Sequence, residues 1–133
     1  MATTSARLFI QSSDLVSDVL SLNVSMEINA AGTTTGITKT TGLKRQTLAN
    51  TNETLILESD DYTDNETSRL YIKNTSSTAG RYIDITLGTK GASAKIGRLY
   101  NGEWALIPWA NTADINLIVS NTDIIIEWML LYQ

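Results

Sequence analysis

Ile124-Ile125-Ile126-Glu127-Trp128-Met129-Leu130-Leu131-Tyr132 is apolar at every position but Glu127, and its reading decides the fold. The stretch is far shorter than the ~20 apolar residues that a membrane-spanning helix needs. As a strand it places Ile124, Ile126, Trp128, Leu130 and Tyr132 on one face and Ile125, Glu127, Met129 and Leu131 on the other. The first face belongs in a core. The second is also largely apolar, whereas a strand of an antiparallel sandwich ordinarily leaves that side to water. Fully burying a Met or Leu is favourable by about 1.5–3 kcal/mol, so a bare Met129 and Leu131 are an aggregation liability. The expectation is a homo-oligomer, a trimer, with Ile125, Glu127, Met129, Leu131 and Trp109 at its interface. The alternative is that an N-terminal segment or a loop covers this face within one chain.

Working outward, Ser120-Asn121-Thr122-Asp123 predicts a closing hairpin between the strand at 115–120 and the terminal one. Tyr100-Asn101-Gly102-Glu103 carries Asn-Gly between apolar runs, the strongest short-range hairpin signal. Further strands are expected at 6–11, 43–48, 54–59, 69–74, 82–87, 95–100 and 103–109. Pro108, the single proline, belongs at a strand end, bulge or edge. In LSLNVSMEIN, Leu20, Leu22, Val24, Met26 and Ile28 alternate with Ser21, Asn23, Ser25, Glu27 and Asn29, which predicts a strand with one face in the core. The residues between, 13–19, suit a short helical turn capped by Ser or Asp. The segment AGTTTGITKTTG after Ala30 suits an exposed loop and a flat edge strand. Many short strands with short turns indicate an all-β, antiparallel β-sandwich, jelly-roll-like, as one domain over 1–133 with residues 1–13 as a short N-terminal arm or first strand.

Composition narrows the chemistry. The 133 residues contain no Cys and no His, which removes disulfides, thiolate sites, the usual general base and the commonest metal ligand together. A net charge of -4 with scattered Lys and Arg argues against nucleic acid as partner. The opening MATTSARLFIQSS lacks the charged region and long apolar run of a signal peptide, and no stretch predicts a membrane partner. Phosphate-cradling glycine loops and cofactor motifs do not occur. The segment ESDDYTDNE concentrates Asp60, Asp61 and Asp64, weak candidates for a divalent cation, without the spacing of an EF-hand. Trp104, Trp109 and Trp128 would suit sugar stacking, but burial in a core or interface is the commoner use of large aromatics. Alternation groups Trp104 with Leu106, and Trp109 with Ala105 and Ile107, on opposite faces.

Three motifs carry a resemblance: Tyr71-Ile72-Lys73-Asn74; Gly102-Glu103-Trp104-Ala105-Leu106-Ile107-Pro108; and Ile126-Glu127-Trp128-Met129-Leu130. In this order, over residues 69–133, the chain resembles small virion structural proteins of tailed, particularly marine, bacteriophages. The resemblance implies a non-enzymatic particle component without cofactors. The expected role is a capsid decoration or cement protein on the outer surface of the phage head, made in the host cytoplasm and bound to the major capsid protein. The segments expected to reach the shell are the N-terminus, with Thr3, Thr4 and Arg7, and the glycine-punctuated loop, with Thr35, Ile37 and Lys39. A tail, neck or fibre component, or a carbohydrate-binding module, is the alternative.

Overall fold

The structure, a computed structural model, describes residues 3–49 and 51–133. The period-two pattern recurs throughout it as strands: β1 (Ser5–Ser12), β2 (Leu20–Glu27), β3 (Lys39–Thr40), β4 (Lys44–Leu48), β5 (Thr54–Leu57), β6 (Ser68–Asn74), β7 (Tyr82–Leu87), β8 (Ala94–Tyr100), β9 (Trp104–Trp109), β10 (Ile115–Val119) and β11 (Ile124–Tyr132). One 3-10 turn, Ser59–Asp61, follows β5, so the strand expected at 54–59 stops at Leu57; both the backbone N–H and the hydroxyl of Ser59 donate to Asp114 Oδ1 instead. Among the described residues no helix is long and apolar enough to cross a membrane.

All the pairings are antiparallel, and β11 is central to one sheet. On one side it pairs with β4 over Ile124 to Trp128 and with β3 over Leu131 and Tyr132; on the other it pairs with β6, which in turn carries β9. β3 and β4 are one edge, broken where Gly42 takes φ +70°. Thr41 bridges the break, its backbone N–H donating to Leu130 O and its hydroxyl accepting from Leu130 N. The second sheet runs β5-β10-β7-β8. The pairs β4–β11, β5–β10, β6–β9 and β7–β8 therefore nest inside one another, in a sandwich of two packed antiparallel sheets. Inward-facing Leu70, Ile72, Ile83, Ile85, Leu117, Ile126 and Leu130 fill the space between them.

This nesting corrects two expectations. From β4 onward only β7 and β8 are consecutive neighbours in a sheet, so the turns at Asn101-Gly102 and at 120–123 are arches between sheets rather than hairpins. A two-residue hairpin of the favoured type needs positive φ at both central residues. Here only Gly102 has it, at +78°. The turn is instead pinned to the end of β6, Gly102 N–H donating to Asn74 O and Asn74 N–H to Glu103 O. Pro108 lies in β9, an edge strand, where a missing N–H need not interrupt a ladder.

The N-terminal segment departs further from expectation. Among the described residues β1 and β2 pair only with each other, in register from Ser5↔Glu27 to Ser12↔Leu20. Alternation gives this hairpin an apolar face of Ala6, Leu8, Ile10, Leu20, Leu22, Val24 and Met26. The opposite face is polar apart from Phe9. The strand expected over 20–29 is present, but its apolar face does not enter the core: Leu22, Val24 and Met26 stay substantially exposed. Ile28, just past the strand, does turn inward against Ile37, joined by the Ile37 N–H to Ile28 O bond. Residues 13–18 form bends and not a helical turn; the Ser12 hydroxyl accepts from Leu15 N–H, but no helix follows it.

Candidate interaction surface

The outward face of the β4-β11-β6-β9 sheet assembles from register. Arg45, Glu127, Lys73 and Trp104 form one cross-strand row, and Met129, Tyr71 and Leu106 the next. Glu127, the one charge in the terminal strand, is half-buried and satisfied: it accepts from Arg45 Nε (3.0 Å) and Tyr71 OH (3.1 Å). Burial, and then the bond to Glu127, push the Tyr71 phenol above its ordinary pKa. Around this polar knot the surface is apolar, with Ile125 43% and Trp104 51% exposed.

The hairpin overhangs one end of this surface. Ala6, Leu8, Val24 and Met26 face Trp104 and Leu106 across a groove of about 330 Å³, with Arg7 and Ser25 at its sides. Both walls are apolar, and the side chains that line the groove leave it open. The cause is the fold itself: β9 is an edge strand whose core side is committed to Ala105, Ile107 and Trp109, so Trp104 and Leu106 must point outward.

Of the expected interface residues, Ile125 is exposed and Glu127, Met129 and Leu131 are half-buried, all on this face. Trp109 is not: it is 5% exposed in the core, edge-on to Tyr62, and its indole N–H donates to Ala113 O. Being on the same strand face as Ala105 and Ile107, it had to follow them inward. Among the expected shell contacts, Thr3, Arg7, Thr35 and Lys39 are exposed and Thr4 is half-buried. Arg7 donates to Asn23 Oδ1 on the polar hairpin face, and Lys39 lies over the Tyr132 ring. Ile37 is buried, 3% exposed, and offers no contact surface. Sequence reasoning set Trp104 and Leu106 on one face and offered Trp104 for sugar stacking, but it named neither as an interface residue and assigned the apolar face of 20–28 to the core. The available signal was the exclusive pairing of alternating apolar positions in two adjacent segments, Ala6 to Ile10 and Leu20 to Met26.

The acidic candidates do not converge. Asp60 and Asp61 sit in the 3-10 turn and Asp64 follows in the next turn; among the described residues no three His, Cys, Asp or Glu side chains gather as a metal-holding group. Two other carboxylates are tightly held. Asp84, 2% exposed, takes a two-pronged bond from Arg98 (2.6 and 3.0 Å) and a further contact from Lys95 Nζ (2.8 Å), while the Arg98 guanidinium stacks 3.6 Å over Tyr82. The Arg98 bond, with Lys95 adding to it, holds the Asp84 carboxyl below its usual range. Glu53 accepts from Gly91 N–H, the Ser93 hydroxyl and the Thr86 hydroxyl, which lower its pKa in that order. Their bonding capacity is spent on closing loops and neutralising charge, which suits anchoring rather than proton transfer. No protein-family description, curated protein or solved structure matches the chain.

Proposed function

We propose that this chain is a non-enzymatic virion structural protein, a decoration or cement protein that sits as a trimer on the outside of a phage head and braces the major capsid protein. The observation that carries the reading is the outward surface of the β11-β6-β9 strands. The three motifs of the phage resemblance fall on these three adjacent strands, and their outward residues Tyr71, Lys73, Trp104, Leu106, Glu127 and Met129 build one continuous contact face. A sheet fixed by a packed core presents such a face without rearrangement, and its one carboxylate, Glu127, is already satisfied by Arg45 and Tyr71, which lowers the cost of covering it. Repeated attachment around a symmetric shell then multiplies modest individual contacts. The architecture alone is neutral, since double-sheet folds of this kind serve capsids and lectins alike.

Immunogold electron microscopy of intact particles, with an antibody to the purified chain, tests the reading. Dense labelling over heads supports it. Labelling confined to tails, together with glycan-array binding that Trp104→Ala abolishes, transfers the protein to host attachment; the exposed Trp104 ring favours this second reading.

A further inference from the structure

The groove and the hairpin tip are complementary parts of one molecule that cannot meet within it. The groove lies at the hairpin base, around Leu8 and Val24, and admits a few aliphatic side chains rather than a whole strand. The tip, residues 13–19, carries Leu15 at 72%, Val19 at 70% and Val16 at 52% exposure, the first two being the most exposed large apolar residues described. At about 3.3 Å per residue the tip stands roughly 20 Å from its own groove, and reaching back would break the β1–β2 ladder. Charge matches as well. Asp14 and Asp18 sit among the tip's apolar residues, whereas Lys73 lies opposite Trp104, a groove residue, in register.

We infer that the tip of one copy, through Leu15, Val16 and Val19, plugs the groove between the hairpin base and β9 of a second copy. Tip-to-base contact is heterologous, and a heterologous contact closes into a ring when the rotation allows. Each hairpin is then held at its tip by one neighbour and at its base by another, which explains how a two-stranded ribbon, marginal alone, persists. The inference rests on the assembly part of the proposed function and not on the capsid, so purified protein tests it separately from particle labelling.

Light scattering at micromolar concentration is the first measurement, with a closed oligomer expected for the wild type. Leu15→Asp, a change at an exposed tip, is expected to weaken association by at least about tenfold while the far-ultraviolet circular dichroism stays unchanged. Because the chain has no Cys, single-cysteine variants give a clean geometry test. A mixture of Val16→Cys and Leu106→Cys chains should oxidise mainly to the mixed disulfide, and the double variant should give a ladder ending at the ring size. A monomeric wild type overturns the inference and leaves the groove to a foreign partner. An oligomer untouched by Leu15→Asp, or cross-linked instead between two Leu22→Cys chains, also overturns it, the latter pointing to face-to-face hairpins.

Discussion

Replacing Asn74 with alanine probes the joint that ties the two sheets together. The Asn74 side chain is fully buried; its Nδ2 donates to Arg81 O (3.2 Å) and Leu99 O (3.1 Å), and its Oδ1 accepts from Ser76 N–H (3.1 Å). It thus links the end of β6 to the entry of β7 and the exit of β8, next to the 100–103 arch. A typical hydrogen bond contributes about 1 kcal/mol net, and a buried carbonyl left without a donor costs about 1–3 kcal/mol. Leu99 O and Arg81 O both lose that donor, and a polar cavity remains, so Asn74→Ala should lose about 2–4 kcal/mol. With a urea m-value of about 1.5 kcal/mol/M, the equilibrium unfolding midpoint should fall by about 1.3–2.7 M. Thr122→Ala, at an exposed site, is the control and should stay within about 0.5 kcal/mol. A loss under about 1 kcal/mol for Asn74→Ala with an unchanged m-value would refute the reasoning, because water or backbone adjustment would then be replacing the carboxamide.

Two further outcomes are accessible to the same assay. Gly102→Ala should cost about 1–2 kcal/mol from conformation alone, since a Cβ there meets nothing within 4 Å while φ is +78°, and Gly102→Asn should recover much of it. Stability should be flat between about pH 5 and 8, for the chain has no His, and should fall in acid. The sign follows from Glu53 and Asp84: their folded pKa values lie below the ordinary 4.5 and 3.8, so their stabilisation is complete above those values and is lost as pH drops through the lower folded ones. A midpoint that stays constant into strong acid would count against both carboxylate networks.

The strands were legible because apolar alternation is local. β7 and β11 fall at the expected residues, and Trp104 and Trp109 separate onto opposite faces as their spacing requires. Which face turns inward was not legible for β9, because that depends on the sheet opposite it; Trp109 was assigned to an interface and lies in the core. The same limit governs the hairpin. The pattern of Leu20, Leu22, Val24 and Met26 is that of any half-buried strand, and nothing local says that the covering surface lies outside the sandwich. Asn101-Gly102 announces a turn correctly, but turn chemistry carries no record of whether the flanking strands share a sheet. The apolar character of the outward face of β11 was readable because both faces of that strand are apolar, whereas the place of Trp104 and Leu106 beside it follows only from register.

The central place of β11 constrains how the protein is made. Among the described residues β3 and β4 have no strand partner other than β11, and without it β6 is paired only with β9. A ribosome delivers β11 after all of these, so the nascent chain carries Leu48, Leu70 and Ile72 bordering an open slot until residues 124–132 arrive. The sandwich therefore cannot assemble from its N-terminal side as synthesis proceeds; it closes by insertion of its latest strand between earlier ones. In that interval the unpaired edges of β4 and β6 are sites for misassociation with neighbouring chains, which makes the docking of β11 the exposed step of folding.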